Sequence, residues 1–105
     1  MTSDLRRSPR HPFFASAEIT ELDTGMRISG RTSELSRHGC YLDMMNPLSS
    51  KSVVNIQIVH DGQTFRAKGH VVYSQSNVGM GATFDEITPD HEKLLDQWMN
   101  SLQPT

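Results

Sequence analysis

The chain has 105 residues, 35% of them hydrophobic, a net charge of −2 and a single cysteine. That length allows one domain with one modest core, and a lone thiol excludes an internal disulfide and suits a reducing compartment. No apolar run approaches a membrane span, and residues 1–10 lack the apolar segment of a secretion signal, so a cytoplasmic location without membrane insertion is expected.

The chain opens on an arginine-rich stretch, "LRRSPRHPF" at 5–13, in which Pro9 and Pro12 forbid a regular helix. Six of the seven arginines (Arg6, Arg7, Arg10, Arg27, Arg31, Arg37) lie in the first 37 residues, and no lysine does. Between Asp85 and Asp96 there are five acids and one lysine. Arginine captures phosphate bidentately and stacks on flat rings, so an arginine-only half points to a specific anion site. Residues 1–12 are expected to form a flexible arm, extended enough to fold over a neighbouring surface.

From Phe13 the sequence runs in periods of two. Phe13, Ala15, Ala17 and Ile19 fall on one face of a first strand, and "DTG" at 23–25 makes a turn. A second strand alternates Met26, Ile28 and Gly30 against Arg27, Ser29 and Arg31. After the turn "SRHG" comes a short strand with Cys40 and Leu42 on one side and Tyr41 and Asp43 on the other. "MNPLSSKS" is a polar loop.

The fourth strand turns Val54, Ile56 and Ile58 inward, and Asp61-Gly62 is a strong signal for a two-residue hairpin. The fifth places Phe65, Ala67, Gly69, Val71 and Tyr73 on one face, and the sixth Val78, Met80, Ala82 and Phe84. Only the end changes period. Thr88-Pro89 caps a helix in which Leu94, Leu95, Trp98, Met99 and Leu102 share one face. The prediction is a mainly β protein: a six-stranded antiparallel barrel over 13–88, closed so that no edge is left unpaired, with a C-terminal helix over 89–102.

Two elements carry chemistry. One is Arg6-x-x-x-Arg10. The other is the turn "ELSRHG", which supplies an acid at Glu34, a hydroxyl at Ser36 and a glycine at Gly39. An acid accepts hydrogen bonds from the N1 and N2 edge of guanine, a hydroxyl bonds base or phosphate, and glycine lets a backbone approach closely. Guanidinium pairs with guanine O6 and N7 and binds phosphate. Together they describe a guanine nucleotide site.

In these residues the chain resembles the PilZ domain family, receptors for the bacterial second messenger cyclic di-GMP. The family has an N-terminal RxxxR, then a six-stranded barrel, with a [D/N]xSxxG turn some 25 residues further on. "RRSPR" and "ELSRHG" stand in that order and spacing, "PRHPF" is similar to the entry into the first strand, and "VGMGATFDEIT" to the closing strand. The resemblance covers residues 5 to 102. It implies that Arg6 and Arg10 clamp the ligand, that Ser36 and Gly39 form the floor, and that Glu34 accepts from the base edge. Arg7, Arg37 and His38 are weaker candidates. Glu34 departs from the pattern, being one methylene longer than Asp.

The resemblance further implies a non-enzymatic receptor whose arm closes over cyclic di-GMP and which signals to a downstream protein, in motility, adhesion or biofilm regulation. The alternative is an interaction module of the same fold whose altered site binds the messenger weakly or not at all. A barrel binding single-stranded nucleic acid has little support, because net charge is negative and exposed aromatics are few (Phe14, Tyr41). His11, His38, His60, His70 and His91 lack the spacing of a metal site, so neither metal nor cofactor is expected.

Overall fold

The computed structural model describes residues 9–102. Six strands are followed by one helix: β1 (His11–Glu21), β2 (Arg27–Leu35), β3 (Gly39–Asp43), β4 (Val53–His60), β5 (Gln63–Gln75), β6 (Gly79–Glu86) and α1 (Pro89–Leu102). The strands close into a barrel in the order β1-β2-β3-β6-β5-β4, every neighbouring pair antiparallel. Closure satisfies the backbone groups that an open sheet would leave at its edges.

β1 starts at His11, two residues before the alternation that begins at Phe13. Pro12 lacks an N–H, yet it fits because β1 pairs only with β2 there. Its ladder to β4 begins at Ser16. From Phe13 onward the predicted inward residues of β1, Phe13, Ala15, Ala17 and Ile19, are all buried. The β4–β5 hairpin turns at Asp61 (φ 52°) and Gly62 (φ 75°), the two successive positive angles of a type I′ turn.

Three positions assigned to the inner face lie outside it. Met26, at 51% exposure, precedes β2 and belongs to the hairpin tip, where its carbonyl accepts from Glu21 N–H. Val78, also exposed, sits in the β5–β6 turn, ahead of the start of β6 at Gly79. Tyr73 is turned outward by a bulge: Val71 pairs with Ala82 and Tyr73 with Gly81, so Val72 is an extra residue that reverses the alternation.

The core joins Ile19, Leu35, Leu42, Val54, Ile56, Ile58, Phe65, Val71 and Met80 inside the barrel. Burying a side chain as large as Phe65 contributes about 1.5–3 kcal/mol. α1 begins with its Glu92 N–H donating to the Thr88 carbonyl at 2.9 Å. Its buried residues Leu95, Trp98 and Met99 complete the core. Trp98 packs against Phe13 (5.3 Å between ring centroids), Phe65 (6.1 Å) and the His60 ring edge (5.6 Å). Those partners come from the start of β1, the start of β5 and the end of β4, so the helix covers that end of the barrel.

Cys40 points into the core, and burial pushes its thiol from 9.0 up to about 12. Iodoacetamide at pH 8 is therefore expected to leave native Cys40 unlabelled and to react with it once the protein is unfolded in urea. Between about pH 9 and 12 the unfolded chain releases this proton while the folded chain keeps it. The unfolded state then binds fewer protons, and stability falls as pH rises through that window. Denaturant titrations at pH 8 and 10.5 check the sign.

Candidate functional site

The β1–β2 ladder begins where His11 pairs with Leu35 and Pro12 with Glu34. Arg10, one residue ahead of the strand, is thereby delivered to the last residues of β2. Its Nη1 lies 3.4 Å from Glu34 Oε1, with both side chains somewhat under half exposed. The two motifs, 24 residues apart in sequence, meet in this ion pair. At that exposure such a pair is worth about 0–1 kcal/mol, so a competing phosphate can displace it.

Glu34 faces outward because of an irregularity next to it. Thr32 pairs with Leu42 and Glu34 with Tyr41, leaving Ser33 as the extra residue. Thr32 remains fully buried, while Glu34 is turned to the outside. The Thr32 hydroxyl seals the matching irregularity in β1, donating to the Phe13 carbonyl at 2.7 Å and accepting from Ala15 N–H at 3.0 Å. A buried threonine thus holds the backbone that presents the carboxylate.

The turn after β2 is closed by Ser36 N–H donating to the Gly39 carbonyl at 2.9 Å. The Ser36 hydroxyl is fully buried. It accepts from the N–H groups of His38 and Gly39, each at 3.2 Å, and donates to the Gly39 carbonyl at 3.3 Å. In this conformation it shapes the turn and offers no free hydroxyl to a ligand. Gly39 is buried at the start of β3.

Arg37 points to the helix. Its guanidinium pairs with Asp96 and reaches the Asn100 side-chain oxygen at 3.5 Å. His38 is half-buried, and its carbonyl accepts from Phe84 N–H at 2.8 Å and the Thr83 hydroxyl at 3.0 Å. The turn is therefore fastened to β6 through its backbone and to α1 through Arg37. Arg6 and Arg7, along with the rest of residues 1–8, lie outside the described residues.

Of the residues that flank this site, the period-two pattern misplaces Tyr73. Arg31 pairs with Asp43 at 3.1 Å and stands 5.2 Å over the ring of exposed Phe14. Tyr41 lies directly across from Glu34, and its ring is 5.9 Å from that of Tyr73. Partial burial, then the neighbouring Tyr73 and the Asp43 and Glu34 carboxylates, hold the Tyr41 phenol above its usual range. The doubled valine before Tyr73 was the available signal, since a bulge can absorb one residue of such a run.

The family model for the PilZ domain matches residues 4–101. The chain belongs to the PilZ domain family. PilZ domains are receptor and adaptor domains for cyclic di-GMP. The PilZ domain of CeSA from a cellulose-synthesizing bacterium superposes with a TM-score of 0.72 at 23% identity, over 90% of this chain and 98% of that one. The PilZ domain of Escherichia coli YcgR, solved with cyclic di-GMP, gives 0.72 at 18% identity over 92% and 90%. Bacillus subtilis MotI/DgrA, an inhibitor of motility, also gives 0.72, at 16% identity, with 94% of this chain covering 51% of that protein. At these identities the likeness is one of fold. No curated protein sequence is detectably similar to the chain. Among the described residues no helix is long and apolar enough to cross a membrane.

Proposed function

We propose that this PilZ domain binds cyclic di-GMP on the outer face beside Glu34–Gly39 and presents the bound form to a protein partner. The observation that carries this reading is the meeting of Arg10 and Glu34 at 3.4 Å, which joins the arginine motif and the turn motif at one exposed place. Arg10 and Arg6 take phosphate and guanine, Glu34 accepts from a guanine edge, and Ser36 and Gly39 hold the turn in shape. Arg37 ties that turn to α1, so a shift of the turn on binding is felt by the helix. Arg7 and His38 are secondary.

The family pattern has Asp or Asn where this chain has Glu34, which supports a second reading: an interaction module whose anion site is occupied by its own carboxylate. Calorimetric titration with cyclic di-GMP, with GTP and cyclic di-AMP as controls, decides between them. Saturable, guanine-selective heat is expected, and no heat at high ligand concentration would leave the interaction module. In Glu34→Asp the shorter side chain releases Arg10, and affinity is expected to rise about two- to fivefold, the scale of an exposed pair. Weaker binding by this variant would show that the full length of Glu34 is needed to reach the ligand.

A further inference from the structure

A single rung of the barrel runs across five strands on its outer face. Pro12 in β1 pairs with Glu34 in β2, Glu34 with Tyr41 in β3, Tyr41 with Gly81 in β6, and Gly81 with Tyr73 in β5. Directly paired residues project to the same side of a sheet. Glu34 and Tyr73 join this rung only because bulges at Ser33 and Val72 reverse the alternation that would otherwise have turned them inward. Bulges that re-aim a side chain are over-represented beside functional sites.

Gly81 sits between the two tyrosines. A Cβ there would come within 2.6 Å of the Tyr73 ring, so the hydroxyl end of the ring occupies the place a side chain would take. The two rings are 5.9 Å apart and inclined by 32°, and Tyr73 is 43% exposed. Tyr41 stands one strand spacing, about 4.8 Å, from Glu34, the carboxylate that pairs with Arg10. A surface-facing pair of rings next to a carboxylate that itself holds a guanidinium combines an apolar face with groups that hold phosphate and base edge.

We infer that Tyr41 and Tyr73 form an aromatic shelf, floored by Gly81, on which a purine base of the nucleotide held at Arg10 and Glu34 stacks. The inference rests on the nucleotide-binding reading above and adds to it the residues that grip the face of the base. Stacking is sequence-tolerant, because every base has such a face, so the shelf supplies affinity while Arg10 and Glu34 supply the preference for guanine.

The test titrates wild type, Tyr73→Phe and Tyr73→Leu with cyclic di-GMP, with circular dichroism melts on each and NMR of the tyrosine rings in the saturated wild type. Tyr73→Phe is expected to bind within about twofold of wild type. Tyr73→Leu keeps apolar bulk but loses the flat ring, and is expected to bind about 5- to 150-fold more weakly, equivalent to about 1–3 kcal/mol for one stacked base. Ring protons of Tyr41 and Tyr73 should shift upfield and show cross-relaxation to the guanine H8. A ring that merely shields the sheet over Gly81 predicts a lower melting temperature for Tyr73→Leu with unchanged affinity and no such cross-relaxation. That result overturns the shelf and leaves the receptor reading standing. If Tyr73→Leu fails to fold, the wild-type spectra decide by the same criterion. A wild type that gives no heat with cyclic di-GMP overturns both.

Discussion

Trp98→Ala is expected to cost about 3–5 kcal/mol of folding stability, the range for emptying a large aromatic site in a core. Trp98 is 5% exposed and in ring contact with Phe13, Phe65 and His60, so its removal leaves a cavity at the junction of helix and barrel. The surrounding strands are held by a closed hydrogen-bonded ladder and can collapse into that space only in part. Domains of this size have a total stability of about 5–15 kcal/mol, so the loss is a large fraction of it. Each kcal/mol lowers the melting temperature of a domain approaching 100 residues by about 4–8 °C. Because Trp98 is the single tryptophan, unfolding has to be followed by far-UV circular dichroism, since intrinsic indole fluorescence disappears with the substitution. Trp98→Phe keeps most of the ring contact and should recover the greater part of the loss. A cost below about 1 kcal/mol would mean that the barrel stands without its helix and that α1 is an accessory. The helix would then carry no information from the turn that Arg37 fastens to it.

The packing of the helix on the barrel was readable in the sequence, and the reason is periodicity. Strands buried on one face write their apolar residues at every second position, and the inward set of β4 (Val54, Ile56, Ile58) survives into the structure unchanged. The helix writes a different period, and Leu95, Trp98 and Met99 are buried as that period requires. What period-two reasoning cannot register is a residue that breaks the count. Val72 does so, and every position after it changes face, which is why Tyr73 lies outside. Strict alternation continued through Ser33 would likewise have put Glu34 on the same side as buried Thr32.

The candidate site was legible as two motifs and illegible as a surface. Arg10 and Glu34 were expected to converge, and strand pairing brings them together. Ser36 and Arg37 were judged by residue type, which says what a side chain can bond and not what is already bonded to it. The Ser36 hydroxyl is taken up by its own turn, and Arg37 by an aspartate 59 positions away on a helix. Contacts over such separations depend on how strands and helix are set against each other, which no local pattern encodes.

Arg6→Ala/Arg10→Ala is expected to abolish binding of cyclic di-GMP in the micromolar range while leaving the barrel folded. A hydrogen bond to a charged group contributes about 1.5–3 kcal/mol, so two lost arginine contacts amount to about 3–6 kcal/mol, or a factor of roughly a hundred to ten thousand in affinity. Arg10 is 42% exposed and its described partner is a surface carboxylate, so truncating it exposes no core and opens no cavity. The melting temperature should therefore fall by no more than a few degrees, which separates loss of the site from loss of the fold. Arg10→Lys is the sharper companion. Lysine keeps the charge but not the planar fork that grips phosphate and guanine in two places at once. If Arg10 acts only as a positive point, Arg10→Lys binds like wild type and affinity falls steeply with added salt. If it reads the ligand by shape, Arg10→Lys loses about tenfold or more at every salt concentration. Retained binding in the double alanine variant would remove the arm from the site altogether, and would leave the tyrosine rung beside Glu34 as the surface that holds the nucleotide.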